Sequence, residues 1–143
     1  MPRQDLLLRY ITTNQAIFRT WKQRFFDEVA ESNLSPAQIG ILFTVYRSQP
    51  IASVAIAKEL RITRGAVAQI IESLDQIGYI SKEIDETDRR IVKISLTKTG
   101  NKKVKNMELV RQNFAQEITS VLDDSELEQA LRINEKILKQ LEK

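Results

Sequence analysis

The charged stretch from Asp85 to Arg90 holds the residues whose chemistry is easiest to interpret. It separates two strand-like runs, Ile80 to Ile84 and Ile91 to Leu96. An arginine at the tip of such a hairpin can enter the minor groove of a duplex. We expect Asp88 to pair with Arg89 or with a backbone N–H and to stiffen the tip, while Arg90 projects into a minor groove. A solvated charged turn is the alternative.

An amphipathic segment precedes this hairpin. The predicted helix is capped by Thr63 and ends at Gly78. Its core stripe is expected to be Val67, Ile70, Ile71, Leu74 and Ile77. On the other face Gln69 can bond two edges of an adenine, and Arg64 can reach a guanine or a phosphate. Taken alone, this face also fits an ordinary solvated helix.

Two further helices are predicted upstream. One begins at Ser35-Pro36, ends at Gln49-Pro50 and buries Ile39, Leu42, Phe43 and Tyr46. Ile51-Ala52 is too short to interpret. The next helix is short, capped by Ser53, and turns Val54, Ala57 and Leu60 inward. A tight turn at Arg61-Ile62 then gives a helix-turn-helix pattern. The charged hairpin directly follows this helix-turn-helix pattern, so it is better explained as a nucleic-acid-binding wing than as a solvated turn.

Long apolar helical patterns stand at both ends of the chain. The first runs from about Gln4 to Ala30. Thr97 is expected to cap a lysine-rich helix, and Asp123 with Glu126 resembles a capping box for the last one. The apolar positions of these two helices are Leu109, Val110, Phe114, Ile118, Val121, Leu122, Leu127, Leu131, Ile133, Ile137, Leu138 and Leu141. Such wide stripes need either a second copy of the chain or a packed neighbouring helix, and Asn134 can fix the register of a helix pair.

The composition excludes several kinds of chemistry. The 143 residues include no Cys and no His, so thiol nucleophiles, disulfides and zinc sites built on these residues are excluded. Without a glycine-rich phosphate loop, a nucleophile elbow or a metal-ligand cluster, we expect no enzyme and no cofactor. The formal net charge of +3 permits an anionic partner. No membrane span or signal peptide is recognised, so the expected location is cytoplasmic.

Three stretches resemble the MarR family of bacterial transcriptional regulators, and the resemblance covers nearly the whole chain. They are Leu74 to Ile80, Asp85 to Arg90, and Ile94 to Gly100. These stretches are similar to the family pattern of a helix end with a Gly turn, an Asp-Arg-Arg wing, and Leu-Thr-x-x-Gly opening the next helix. Ser35 to Gln38 also resembles the start of the family's second helix.

Two regions depart from the family pattern. Glu86 stands where family wings often have Pro. Recognition helices of the family frequently carry Ser, Thr and Arg. In this sequence the corresponding positions are Gly65, Ala66, Ala68 and Gln69. Because fewer side chains can read bases directly, sequence preference is expected to depend on Arg64, Gln69, DNA shape and the wing.

The resemblance implies a mostly α-helical fold with a small β-wing. Residues 1–34 would form an N-terminal dimerisation helix, 35–97 the winged helix-turn-helix DNA-binding region, and 98–143 the C-terminal dimerisation helices. An obligate homodimer would bind an inverted-repeat operator in double-stranded DNA as a repressor, with Asp88 orienting Arg90. The expected DNA-binding residues are Ser53, Lys58, Thr63, Arg64, Gly65, Ala66, Ala68, Gln69, Ser73, Asp88, Arg89, Arg90 and Lys98.

The resemblance also implies a small aromatic effector, because many family members bind phenolic or aromatic compounds and then release DNA. The candidate pocket residues are Trp21, Phe25, Phe43, Tyr46 and Phe114. Ordinary core packing is the other explanation for each of these aromatics. The alternative function is a winged-helix module that binds protein and not DNA, which the modest charge leaves open.

Overall fold

Helices form most of the protein, and a short antiparallel sheet packs among them. The computed structural model describes residues 1–142. Its helices are α1 (Arg3–Val29), α2 (Pro36–Ser48), α3 (Ser53–Leu60), α4 (Arg64–Gln76), α5 (Lys98–Thr119) and α6 (Asp124–Leu141), with a 3-10 turn at Ala30–Ser32. The strands are β1 (Ile51–Ala52), β2 (Ile80–Ile84) and β3 (Val92–Leu96). The predicted fold class, mostly α with a small β-wing, is confirmed.

The sheet has the order β1-β3-β2, and both strand pairs are antiparallel. Ile51-Ala52, a segment too short to interpret from the sequence, forms a strand because β3 supplies its partners. Ile51 pairs with Ile94. The β2–β3 hairpin is the predicted wing. Its second strand begins one residue later than predicted, because the Ile91 N–H donates to the Asp88 carbonyl within the tip turn, at 2.9 Å.

Helix α2 lies at the centre of the core. It contacts α3, α4, α5 and β3, so more than one of its faces is buried. Ile39 and Leu42 are buried as predicted, but Ile41 and Val45 are buried as well. Phe43 and Tyr46 were expected on the buried face and are only half-buried. When neighbours surround a helix, a one-sided apolar stripe does not identify all of its buried residues.

Side-chain caps set most of the helix starts, as predicted. Ser35 and Gln38 form a reciprocal capping box at α2, and Asp123 and Glu126 form another at α6. The Thr63 hydroxyl accepts from the Ala66 N–H at 3.1 Å at the start of α4. Each cap satisfies a backbone N–H that lacks a partner within its own helix.

The predicted inward face of α3 was right for Ala57, which is buried, and for Leu60, which packs against the core, but wrong for Val54. Ala52, and not Ser53, occupies the cap position, and it makes no side-chain hydrogen bond. Ile56 and Ala57 face the core, whereas Val54 is 49% exposed. At 3.6 residues per turn, Val54 lies roughly 110° away from the direction shared by the buried residues.

Other apolar positions were also misassigned. Ile77 follows the last residue of α4 and is exposed, because the chain leaves the helix before its side chain reaches the core. Leu109 and Val121 are exposed too. The buried side chains of α5 are Phe114, which belonged to the predicted stripe, and Val104 and Met107, which did not.

The junction between the hairpin and α5 depends on Thr97 and Gly100. The Thr97 N–H donates to the Tyr79 carbonyl at 3.1 Å, and its hydroxyl donates to the Gly78 carbonyl at 2.6 Å. A Cβ atom at Gly100 would lie 1.9 Å from the Tyr79 carbonyl oxygen. The glycine is therefore required by the close approach of two backbones, which gives a physical reason for the Leu-Thr-x-x-Gly pattern.

Candidate nucleic-acid interface

The helix-turn-helix is formed by α3, a short turn and α4. Arg61 ends α3 in the left-handed conformation, with φ of 53°, and its N–H still bonds back to the helix. Val67, Ile71 and Leu74 then anchor α4 to the core. This anchoring leaves the opposite face of α4 open, and it carries the exposed residues Arg64, Gly65, Ala68 and Gln69.

The other residues predicted to contact DNA differ in accessibility. Lys58, Thr63, Lys98, Arg89 and Arg90 are exposed, whereas Ser53, Ala66, Ser73 and Asp88 are half-buried. The Ser73 hydroxyl donates to the Ile70 carbonyl at 2.7 Å and accepts from the Gln38 side-chain amide at 3.0 Å. Ser73 thus bonds to α2 and stands apart from the open face of α4.

The tip of the wing is held by Asp85. Its Oδ1 atom accepts from the Thr87 N–H, the Thr87 hydroxyl and the Asp88 N–H, at 2.8, 2.6 and 3.1 Å. Its Oδ2 atom lies 3.2 Å from the Lys93 ammonium of β3. These bonds, the Thr87 hydroxyl foremost, hold the pKa of Asp85 well below its usual range. The role of Asp85 in the turn was not anticipated from the sequence.

Asp88 holds Arg90 at the end of the wing. Asp88 Oδ1 accepts from the Arg90 N–H at 3.0 Å and from Arg90 Nε at 3.1 Å, while Oδ2 accepts from Arg90 Nη2 at 3.1 Å. Of the two partners predicted for Asp88, Arg89 or a backbone N–H, the backbone N–H is the one present, and the side chain that Asp88 binds is that of Arg90. The arginine fork lowers the pKa of Asp88. The Arg90 side chain remains 91% exposed, so its outer edge is free to meet a partner.

Comparisons with known proteins address the same region. The model of the MarR family matches residues 34–92. The HTH-type transcriptional repressor MdtR of Bacillus subtilis is 24% identical over 123 residues, which cover 86% of this chain and 79% of MdtR. The HTH-type transcriptional regulator PrsX of Escherichia coli is 32% identical over 101 residues, 71% of this chain and 60% of PrsX.

A solved structure extends the similarity to nearly the whole chain. The crystal structure of the MepR–DNA complex from Staphylococcus aureus is 25% identical, with a TM-score of 0.78, and the match covers 92% of this chain and 97% of that one. The chain belongs to the MarR family. Its curated relatives are named as transcriptional regulators, which are not enzymes.

This MarR-family protein exposes a large apolar surface on its terminal helices. In α6 none of the residues is buried, although its apolar side is wide. The exposed apolar side chains of α1 and α6 include Leu6, Leu7, Leu8, Ile11, Ile17, Phe18, Leu127, Leu131, Ile133, Ile137, Leu138 and Leu141. Two polar side chains meet within this surface, where the Tyr10 hydroxyl donates to Asn134 Oδ1 at 3.4 Å. An apolar surface of this extent is typical of an interaction site.

A cleft of about 820 Å³ opens between α1, α5 and α6 of the same protein. Of the five aromatics predicted for a ligand pocket, Trp21 and Phe114 line it. Phe25 is buried and stacks on Trp21, with ring centroids 5.8 Å apart. Phe43 packs beyond Phe25, and Tyr46 does not line the cleft. Arg24 lies over the Phe114 ring at 4.5 Å.

Among residues 1–142, no group of three or more acidic side chains is arranged to hold a metal ion. None of the helices described there is both long and apolar enough to cross a bilayer.

Proposed function

We propose that this protein is a homodimeric repressor that binds a specific sequence of double-stranded DNA. Helix α4 enters the major groove and the β2–β3 wing enters the adjacent minor groove. The observation that carries the proposal is the geometry of Arg90, which Asp88 holds by two side-chain bonds while 91% of the Arg90 side chain stays exposed. The similarity to MepR in a complex with DNA supports the same assignment.

The residues on the open face of the recognition helix have separate roles. Arg64 and Gln69 read base edges, and Gly65 and Ala68 allow the helix to approach the groove floor closely. The remaining contacts are made by Ser53, Lys58, Thr63, Arg89, Arg90 and Lys98, while Asp88 orients Arg90. Ser73 makes no contact because it bonds to Gln38 of α2, and Ala66, which is half-buried, contributes little. Two copies of this unit, related by twofold symmetry, bind an inverted repeat.

A selection from random duplex DNA at two salt concentrations tests the proposal, with wild type and Arg90→Ala in parallel. The wild type should recover an inverted repeat, and binding should weaken as salt rises. Arg90→Ala should weaken binding to all duplexes and reduce the salt slope by about one. Circular dichroism serves as the control for folding, because an exposed ion pair contributes little to stability.

Two outcomes would overturn parts of this proposal. Failure of the wild type to bind any duplex in a salt-dependent way would favour the winged-helix protein-interaction module. An unchanged affinity and salt slope in Arg90→Ala would remove the wing from the interface while leaving the recognition helix in place.

Dimerisation would use α1, α5 and α6. The exposed apolar side chains of α1 and α6 would be buried against the second copy, which gives them the partner surface that a single chain lacks. Tyr10 and Asn134 would fix the register of the packed helices, because polar groups inside an apolar interface must keep their hydrogen bonds.

A small aromatic effector would bind in the cleft beside Trp21 and Phe114. The chain has one Trp, so Trp21 reports on the cleft directly through its fluorescence. Titration with simple phenolic acids should quench Trp21 and release the selected operator over the same concentration range. Quenching without release, or release without quenching, would contradict an effector role for this cleft.

A further inference from the structure

A lysine of the wing lies between two carboxylates of the recognition helix. The Lys82 ammonium of β2 is 2.7 Å from Glu72 Oε2 and 3.2 Å from Asp75 Oδ2 of α4. These two carboxylates, Glu72 foremost, raise the pKa of Lys82. Sequence patterns did not indicate this cluster, because nothing in the spacing of α4 and β2 shows which of their charges meet.

Glu72 stands among the residues proposed to face DNA. Arg64, Ala68 and Glu72 follow one another at intervals of four residues, which places them along one face of α4. The same three residues and Lys82 line one groove of about 360 Å³ between α4 and the hairpin. An uncompensated carboxylate on this face would repel the phosphates of an approaching duplex.

We infer that Lys82 is a positioning residue for DNA binding that acts through Glu72 and Asp75. It neutralises charge on the recognition helix and holds the carboxylates toward the wing, away from the phosphates. An ammonium group has three donors, and Lys82 directs two of them to acceptors of the protein itself. The inference rests on the proposed DNA-binding function and assigns Lys82 no direct contact with DNA.

The test is a mutant cycle measured on the selected operator at several salt concentrations. Its members are wild type, Lys82→Met, the double variant Glu72→Gln/Asp75→Asn, and the triple variant. In the wild-type background Lys82→Met should weaken binding roughly tenfold or more, since it uncovers two carboxylates. In the background without carboxylates the same substitution should change affinity less than about threefold.

A direct phosphate contact would give a different result. Lys82→Met would then weaken binding equally in both backgrounds and lower the salt slope by about 0.9 in each. Equal losses, or no loss in either background, would overturn the inference. Lys22→Met in α1 is the matched control, because it removes the same charge from outside the helix-turn-helix and wing and should leave affinity within about twofold.

A measurement on the free protein separates this inference from the proposed function. The pKa of Lys82, followed by NMR, should fall in Glu72→Gln/Asp75→Asn relative to wild type. An unchanged pKa would overturn the ion cluster whether or not the protein binds DNA. If the pKa of Lys82 falls in the double variant but the wild-type protein binds no duplex, the ion cluster stands, while its role in DNA binding and the proposed function are both refuted.

Discussion

At the scale of single residues, Asp88 and Arg90 of the wing are joined by several hydrogen bonds. The carboxylate accepts three bonds from Arg90, one from its backbone N–H and two from its guanidinium. The pair is solvent-accessible, so its contribution to the free energy of unfolding is small. Under the proposed function, the pair would fix the direction of the arginine before DNA arrives and so lower the entropy lost on binding.

We predict that Asp88→Ala weakens operator binding even though it removes a negative charge. The guanidinium loses its fork and samples many rotamers, so part of its ordering cost falls on the binding step. Filter binding or anisotropy should show lower affinity with a salt slope close to that of wild type, because the arginine charge remains. Tighter binding in Asp88→Ala would contradict an orienting role.

Gly100 provides a residue-level prediction about stability. Gly100→Ala should lower the free energy of unfolding by about 3 kcal/mol or more, since its Cβ would collide with the Tyr79 carbonyl and separate α5 from the hairpin. Gly40→Ala is the matched control, because a Cβ there meets nothing within 4 Å, and it should raise stability by up to about 1 kcal/mol. Urea denaturation measures both, and similar changes in the two variants would refute the close-approach argument.

At the level of elements, the wing is a hairpin whose tip is tied back to its own strands. Asp85 joins the tip to Lys93 of β3, and the Asp85 N–H donates to the Ile91 carbonyl at 2.9 Å. These bonds order the hairpin tip, whereas a run of charged residues by itself would suggest a solvated turn. Lys82 links the other strand to α4, so the wing and the recognition helix are expected to move as one unit.

The wing should show a characteristic pH dependence. The folded-state pKa of Asp85 and of Asp88 is lowered, so their contribution to wing order is fully present above about pH 4, where aspartate of the unfolded chain is ionised. That contribution is lost as pH falls through the depressed folded-state values. NMR titration should show that the carboxyl groups of Asp85 and Asp88 both protonate below the usual pH range of aspartate. Titration of Asp85 near pH 4 would contradict the bonded turn.

At the level of the whole molecule, the terminal helices carry an apolar surface that a single chain leaves exposed. Leu131→Glu should therefore dissociate the proposed dimer, because it places a charge within this apolar surface. Gln129→Glu makes the same change in charge on the polar side of α6 and should leave the dimer intact. Light scattering at several concentrations distinguishes the mass of a monomer from that of a dimer. A wild-type protein that is monomeric at micromolar concentration would refute the proposed dimer.

Local sequence determined the helices and the two hairpin strands of this protein to within a few residues, whereas the short strand β1 was not recognised. Ser35, Thr63, Thr97 and Asp123 act as caps because their side-chain oxygens reach backbone N–H groups of the same segment. The charged hairpin and the helix before it were predicted for the same reason. Their hydrogen-bonding needs are met within a few residues, so no knowledge of the rest of the fold is required.

Tertiary structure decided which faces are buried and which charges meet. Val54 and Ile77 are apolar yet exposed, because burial depends on where each helix stops and what packs beside it. The pairing of Lys82 with Glu72 and the need for Gly100 both arise where segments distant in sequence come together. Such contacts depend on the relative placement of whole elements, and the composition and periodicity of one segment do not encode that placement.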